Sequence, residues 1–423
     1  MSPKKNSLWF KLDNAAKVFP PTCDDADPKV FRFACELYED IEQEILQKAL
    51  DKTVAYFPGY LVVLKHGLFW YYMEPTGRRP VAVRESKEVC SPIYDKNTAG
   101  LLFEVSFYKN RINLEIFHAL SDGTGALAFL KMLVCNYIAG RYKDEFAQIP
   151  PYSGDGASDS EKMADSFQKY YNPKEKQNII DKFACRVKGH RLPGNRVKVI
   201  GGLIPVDKTL ELARKFKTSV TVFLTAVLIC SIHETMSIKE EKKPVNICIP
   251  VNLRNFFASE TMRNFFGAFN VSYNFSKSPK DLESVTAAVA ESFQKNLTAE
   301  MLAHRMNSLA AMEHNLLVRA LPLVIKDPFV RLGYYYSERS TTGTLSNVGR
   351  VDLPDEYAKY IRIFDVMSST KKIQACVCSF RNNMTVNFLD HFVSTDIQKH
   401  FFRTLAKMGL PVEITANQFD GWK

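Results

Sequence analysis

His118 and Asp122 are the two residues in this chain whose types and spacing suggest chemistry. They stand in the segment 112–129, INLEIFHALSDGTGALAF, as His118-x-x-x-Asp122-Gly123. On an extended strand Ile112, Leu114, Ile116 and His118 fall on one face, because side chains alternate with period two. His118 would therefore close an otherwise apolar face. Asp122 and Gly123 would turn the chain into a helix, with glycine permitting the backbone angles that a tight turn can require. An imidazole with a reference pKa of roughly 6.5 can accept a proton at neutral pH and return it in a later step. That is the behaviour of a general base for an alcohol or amine attacking a carbonyl. A histidine that merely ends a strand and an Asp-Gly that merely turns it fit the same letters. The apolar strand before, the apolar helix after and the inward side of the histidine distinguish this site.

The elements that must hold this corner read as follows. Apolar residues at Leu37, Ile41, Ile45 and Leu46 have helical spacing, so residues 36–52 are expected to be a helix. Residues 61–64 and 68–72 read as strands. Residues 101–107 and 112–117 read as an antiparallel hairpin around Tyr108-Lys109-Asn110-Arg111. Residues 125–139 form a strongly apolar helix. Residues 150–178, rich in Ser, Asp, Gly, Pro and Lys, read as a solvated crossover. Beyond it come a strand at 197–203 and helices at 208–215 and 220–235, the second capped by Ser219. Strands follow at 245–250 and 267–275, and helices at 280–297 and 313–325. Strands at 344–348, 361–367, 373–380 and 385–389 and a helix at 395–408 complete the chain. No repeat of fixed period is present. The mixture predicts an α/β (α+β) protein of two subdomains, each a mixed sheet flanked by helices. The expected division is 1–150 for the subdomain with the His-Asp motif, 151–195 for a crossover linker, and 196–423 for the second subdomain.

FHALSDG, with His118, Asp122 and Gly123, resembles the HxxxDG signature of the chloramphenicol acetyltransferase-like superfamily. That superfamily includes condensation domains, wax ester synthases and alcohol acetyltransferases. Trp9-Phe10-Lys11-Leu12-Asp13-Asn14-Ala15-Ala16-Lys17 resembles the N-terminus of bacterial alcohol-acetyltransferase-like proteins in particular. Pro250-Val251-Asn252-Leu253-Arg254 and Ser346-Asn347-Val348-Gly349 resemble two further family segments, so the likeness covers most of the chain. Phe117 precedes His118 where many members carry a second histidine; the catalytic one in the family is the later of the two. The resemblance implies an active-site tunnel between the subdomains, with His118 as general base and no covalent acyl-enzyme. It implies that Asp122 is structural, salt-bridged to an arginine, here Arg254 beside Asn252. Thr344, Ser346 and Asn347 become oxyanion or tunnel candidates, and Gly267-Ala268-Phe269-Asn270 a channel strand. It further implies acyl transfer from an acyl thioester to an alcohol or amine. The donor would be acyl-CoA as co-substrate, or an acyl carrier protein; no tightly bound cofactor is implied.

Composition sets the outer bounds. The chain has 423 residues, 46% of them hydrophobic and 12% aromatic, which excludes wholesale disorder. At roughly 150 residues per domain, two or three domains are expected. The longest apolar stretch, 220–232, falls short of the about 20 residues that span a bilayer, so no transmembrane segment is expected. The N-terminal residues show no apolar signal region, and nine cysteines lie without a zinc or thioredoxin spacing, so a cytoplasmic protein with reduced thiols is expected. The formal charge of +10 is spread out; it suits an anionic ligand and lacks the basic stripe with interleaved aromatics that nucleic acid needs. Eight dispersed histidines with no HExxH give no metal site. No G-x-S-x-G elbow supplies a serine nucleophile. Adjacent Asp390 and His391 would point to opposite faces of an extended chain and so form no dyad. Two other readings stand beside acyl transfer. Gly123-x-Gly125-x-x-Ala128 matches a dinucleotide fingerprint, although the strand before it belongs to an antiparallel hairpin. The fold could also serve as an inactive condensation-like binding module.

Overall fold

The computed structural model describes residues 9–154, 159–175 and 182–417. The first part of the chain supplies β1 (Phe10–Lys11), β2 (Val30–Leu37), helix α1 (Gln43–Tyr56), β3 (Val62–His66), β4 (Tyr71–Pro75), β5 (Ala82–Arg84), β6 (Phe103–Tyr108), β7 (Arg111–Phe117) and helix α2 (Gly123–Arg141). The second supplies β8 (Lys198–Pro205), α3 (Val206–Lys215), α4 (Val220–His233), β9 (Val245–Asn252), β10 (Phe266–Tyr273), α5 (Leu282–Asn296), α6 (Ala299–His314) and α7 (Leu323–Glu338). It continues through β11 (Gly343–Val351), β12 (Ile361–Ser368), β13 (Ile373–Phe380), β14 (Asn383–Asp390), α8 (Asp396–Lys407) and β15 (Glu413–Ala416). Single-turn helices are named by their residues.

Three mixed or antiparallel sheets result. The first lobe holds the order β12-β2-β7-β6-β5 and a small sheet β1-β4-β3; the second holds β10-β9-β11-β13-β14-β8-β15. The β6–β7 hairpin is antiparallel, with Phe103 opposite Ile116 and Tyr108 opposite Arg111. In the second sheet β11 runs parallel to both β9 and β13. Each lobe has its own apolar core. Val30–Phe33 and Ile112–Phe117 are buried on both faces, and the charges they carry there, Arg32 and Glu115, are paired with each other at 3.0 Å. Helix α4 is buried almost all round, so the apolar stretch 220–232 is the central helix of the second core; Ser219 Oγ accepts from Val222 N at 3.3 Å to cap it. By length and composition α2 could cross a membrane, yet its Phe129, Leu130, Leu133, Val134 and Ile138 fill the first core.

β12 joins the lobes. It lies in the 196–423 portion of the chain but pairs antiparallel with β2 of the first lobe, Ile361 opposite Leu37 through Ser368 opposite Phe31. Its other side touches the second sheet, where Thr385 Oγ1 donates to Phe364 O at 3.0 Å and Asn387 Nδ2 to Asp365 Oδ1 at 2.9 Å.

Three expectations of local structure are corrected. Residues 36–37 end strand β2, and the helix begins only at Gln43. The hairpin turn captures the intervening chain, with Leu37 N donating to Asn110 O and Ile41 N to Lys109 O. Residues 68–70 are a turn closed by Gly67 N to Trp70 O, so that strand starts at Tyr71. In place of one helix at 313–325 there are α6, a one-turn helix Leu316–Ala320 and α7, because Pro322 caps the last of these in extended conformation.

Candidate active site

β7 delivers His118 to the junction of the lobes. Its backbone N–H prolongs the ladder by donating to Lys29 O at 2.8 Å. The ring stacks on Phe19 at 4.5 Å and is flanked by Phe31 at 4.8 Å, both from the first lobe, and by Phe266 at 5.4 Å from the second. It remains partly exposed. Burial against these rings disfavours the imidazolium and lowers the His118 pKa from its usual 6.5. Aromatic rings from both lobes crowd the imidazole at the place of the expected tunnel. A small recess lies behind the same corner, lined by Phe57, Tyr60, Leu120, Met163 and Met262 among others, and His118 is not among its lining residues.

The ring's polar partner comes from the second lobe. His118 Nδ1 lies 3.1 Å from Asn264 Oδ1. Asn264 is fully buried and its amide donates through Nδ2 to Asp13 Oδ2 at 3.3 Å. The carboxylate thus turns the Asn264 amide so that its oxygen faces the imidazole, and Nδ1 must carry the hydrogen. Nε2 then keeps its lone pair. Asp13 is held by Ala16 N at 2.8 Å and lies 3.6 Å from Arg263 Nε. Burial nevertheless pushes its pKa up to about 6.

Asp122 sits one turn away and faces the other direction. Its Oδ1 accepts from Thr124 N at 3.0 Å and Gly125 N at 3.2 Å, capping α2. Its Oδ2 accepts from Arg254 Nη1 and from Phe265 N, each at 2.8 Å. Arg254, just after β9, also donates to Asn252 Oδ1 at 3.2 Å and to the carbonyls of Thr261, Arg263 and Phe265. The guanidinium so laces together the 261–265 segment, which carries Asn264 to the imidazole. The sequence singled out His118, Asp122, Asn252 and Arg254 and passed over Asn264. No motif surrounds Asn264. Asp13 lay inside the quoted WFKLDNAAK segment without an assigned role.

Residues 206–398 match the protein family described as "Alcohol acetyltransferase", a stretch that includes Arg254 and β11 but not His118. No curated sequence matches the chain. Solved structures share its fold at low identity. Trichothecene 15-O-acetyltransferase from Fusarium sporotrichioides is 11% identical, with 94% of this chain and 93% of that chain covered and a TM-score of 0.60. The same organism's TRI101, complexed with coenzyme A and T-2, is 11% identical over 96% and 100%, with a TM-score of 0.63. The first condensation domain of the calcium-dependent antibiotic synthetase is 14% identical over 95% and 97%, with a TM-score of 0.64. The chain shares the fold of these proteins. Its two helix-flanked mixed sheets are the fold of those acetyltransferases and condensation domains.

Within this fold the remaining candidates separate. Gly123 opens α2 with no positive φ, and a Cβ there would lie an ordinary 3.8 Å from Phe33. The turn therefore does not demand glycine at 123. Position 125 does: a Cβ would come 2.2 Å from both Met262 O and Ser121 Oγ. Gly125 thus serves the close approach of α2 to the 261–265 segment. Asp122 occupies the first amides of α2, and β7 is antiparallel to both neighbours, so the dinucleotide reading loses its phosphate seat and its βαβ unit. On β11, Thr344 and Ser346 pair with Gln374 and Cys376, and Cys376 packs into the first-lobe core. Both therefore face the first lobe. Asn347 is corrected: its amide donates to Thr221 Oγ1 at 2.9 Å and its Oδ1 accepts from Gly349 N, turning it to α4 instead. Among the described residues none of the three is hydrogen-bonded to His118. On β10, Phe269 is buried in the second core, and it is Phe266, at the strand's start, that reaches the imidazole. Asp390 and His391 diverge as expected, the first accepting from Phe392 N at 2.7 Å, the second bonding Arg196 O through Nδ1 at 2.9 Å.

Proposed function

We propose that the protein transfers an acyl group from an acyl thioester to an alcohol or amine, with His118 as general base. The observation that carries this reading is the fixed imidazole: Nδ1 is committed to Asn264, which Asp13 orients, and Nε2 is left with its lone pair at the lobe junction. The lowered pKa keeps that ring neutral at pH 7, the form a base needs. Nε2 takes the proton from the acceptor O–H or N–H as its heteroatom bonds to the thioester carbonyl carbon. The tetrahedral intermediate then expels the thiolate, which recovers the proton from Nε2. No covalent acyl-enzyme forms. Ser346 and Thr344, which face the first lobe, are the hydroxyls we assign to the oxyanion; Asn347 drops out. Coenzyme A is the proposed thiol carrier, in keeping with the +10 charge and with TRI101, a protein of this fold complexed with coenzyme A.

The test is thiol release from acetyl-, butyryl- and longer-chain CoA thioesters against a panel of alcohols and amines. His118→Ala should lower kcat/KM by about 10²–10⁴ and leave the melting temperature near that of the wild type. Wild-type turnover in that variant would remove His118 from the mechanism. Absence of thiol release with every thioester would leave the chain as a binding module of the same fold.

A further inference from the structure

Helix α7 presents its apolar side to water. Ile325, Phe329, Leu332 and Tyr336 recur at i, i+4, i+7 and i+11, the spacing of one helical face, and all four are exposed. Phe329 and Leu332 are each 67% exposed and neighbouring Val324 is 76% exposed. Leu68, 66% exposed, extends the patch, because Leu323 N donates to Leu68 O where α7 begins. A contiguous exposed apolar surface of this kind marks an interaction site. The inward face is fully engaged. Lys326 Nζ lies 3.7 Å over the Trp70 ring, Tyr71 Oη donates to Asp327 at 2.5 Å, and Tyr334 Oη accepts from Lys29 Nζ at 2.7 Å.

The charges around the patch choose its partner. Arg319 and Arg339 are exposed at the two ends of the same segment, while Arg331 is tied through Nε to Pro21 O. The segment's carboxylates are turned inward, Asp327 to Tyr71 and Glu338 to Lys372. The outer surface thus offers apolar side chains and cations and no free carboxylate among residues 318–339. A second copy docked through the same patch would bring another surface with cations and no free carboxylate against this one, in a chain of net charge +10. We propose that α7 docks the protein on an anionic lipid bilayer, with Phe329 and Leu332 entering the interface and Arg319 and Arg339 meeting lipid phosphates. Interfacial helices bind by this combination of buried apolar area and attraction to anionic headgroups. The inner face of α7 packs on the Phe19–Thr22 turn, where Arg331 donates to Pro21 O and Phe19 stacks on His118. Docking would therefore bring the His118 corner near the bilayer. The proposal itself requires no chemistry at His118.

Co-sedimentation of the full chain with vesicles of phosphatidylcholine, alone and mixed with phosphatidylglycerol, tests it. Sedimentation is expected with the mixed vesicles, weakening as salt is raised. The double variant F329E/L332E should keep its circular dichroism and melting temperature and lose roughly tenfold or more in vesicle partitioning. The proposal is overturned if the wild type stays in the supernatant with both vesicles, or if the double variant binds equally well. It is also overturned if gel filtration shows a wild-type dimer that the double variant converts to monomer, which would give the face to a second copy.

Discussion

At the scale of single residues, the candidate site consists of the imidazole proposed as the base and the groups that set its tautomer. A histidine ending a strand and followed by an aspartate is visible in sequence because both fall inside ten letters. Arg254 was reachable through its family-like Asn-Leu-Arg segment, and it lies 2.8 Å from Asp122 across 132 positions. Asn264 was not reachable. Its function depends on a side-chain contact 146 positions away and on a buried carboxylate from Asp13, and neither leaves a local pattern. Its contribution can be read from pH dependence. Imidazolium is inactive as a base, so kcat/KM should fall as pH drops through the His118 pKa, with a midpoint below 6.5. Asn264 Oδ1 accepts from Nδ1 and so stabilises the imidazolium; burial opposes it more strongly. Asn264→Leu removes the stabilising contact and frees the tautomer. That variant should lose kcat by on the order of tenfold to a hundredfold and shift the acidic limb further toward low pH. A pH profile superimposable on that of the wild type would reduce Asn264 to packing.

At the scale of elements, the strands and helices that touch the site were largely visible, and the failures have physical causes. The β6–β7 hairpin and α2 are strongly apolar, bounded by turn residues, and local in their pairing. The end of β2 was drawn into the helix that begins at Gln43, because Leu37 and Ile41 happen to continue the spacing of Ile45 and Leu46; the strand's real determinant is burial between β12 and β7, which only the assembled sheet supplies. The loop 261–265 has no regular structure, and its shape comes from Arg254. That guanidinium binds three of its carbonyls and the Asp122 carboxylate in a site where both side chains are nearly buried. Arg254→Ala would strand the Asp122 charge and release the loop that holds Asn264. Breaking such a pair costs about 3–5 kcal/mol. The expected outcome is that much loss in chemical denaturation, together with loss of turnover. A variant with wild-type stability would show that the loop holds its shape without the guanidinium.

At the scale of the whole molecule, composition suggested two halves and a solvated crossover between them, whereas the passage of β12 into the first sheet left no such mark. Residues 361–368 read as a strand by alternation, but alternation says nothing about which sheet a strand enters. β12 enters the first, where Phe364 and Val366 join the first-lobe core and the entire length of β2 is paired. The consequence is mechanical. The first lobe is completed only by chain from both halves, so the peptide link between them should be dispensable once folding is done. A protease site inserted at Gly194, in the exposed turn Pro193–Asn195, would cut the chain outside both sheets. The cut protein should elute from gel filtration as one species of unchanged size and melt in a single transition, because separating the halves would strip β2 of its neighbour and uncover both cores. Residues 1–194 expressed alone should aggregate, since β2 would then be an open edge of Val-Phe-Arg-Phe-Ala-Cys with its backbone groups unpaired. Fragments that part without denaturant, or a soluble monomeric 1–194, would mean that β12 is a removable strap and that the first lobe is complete without it.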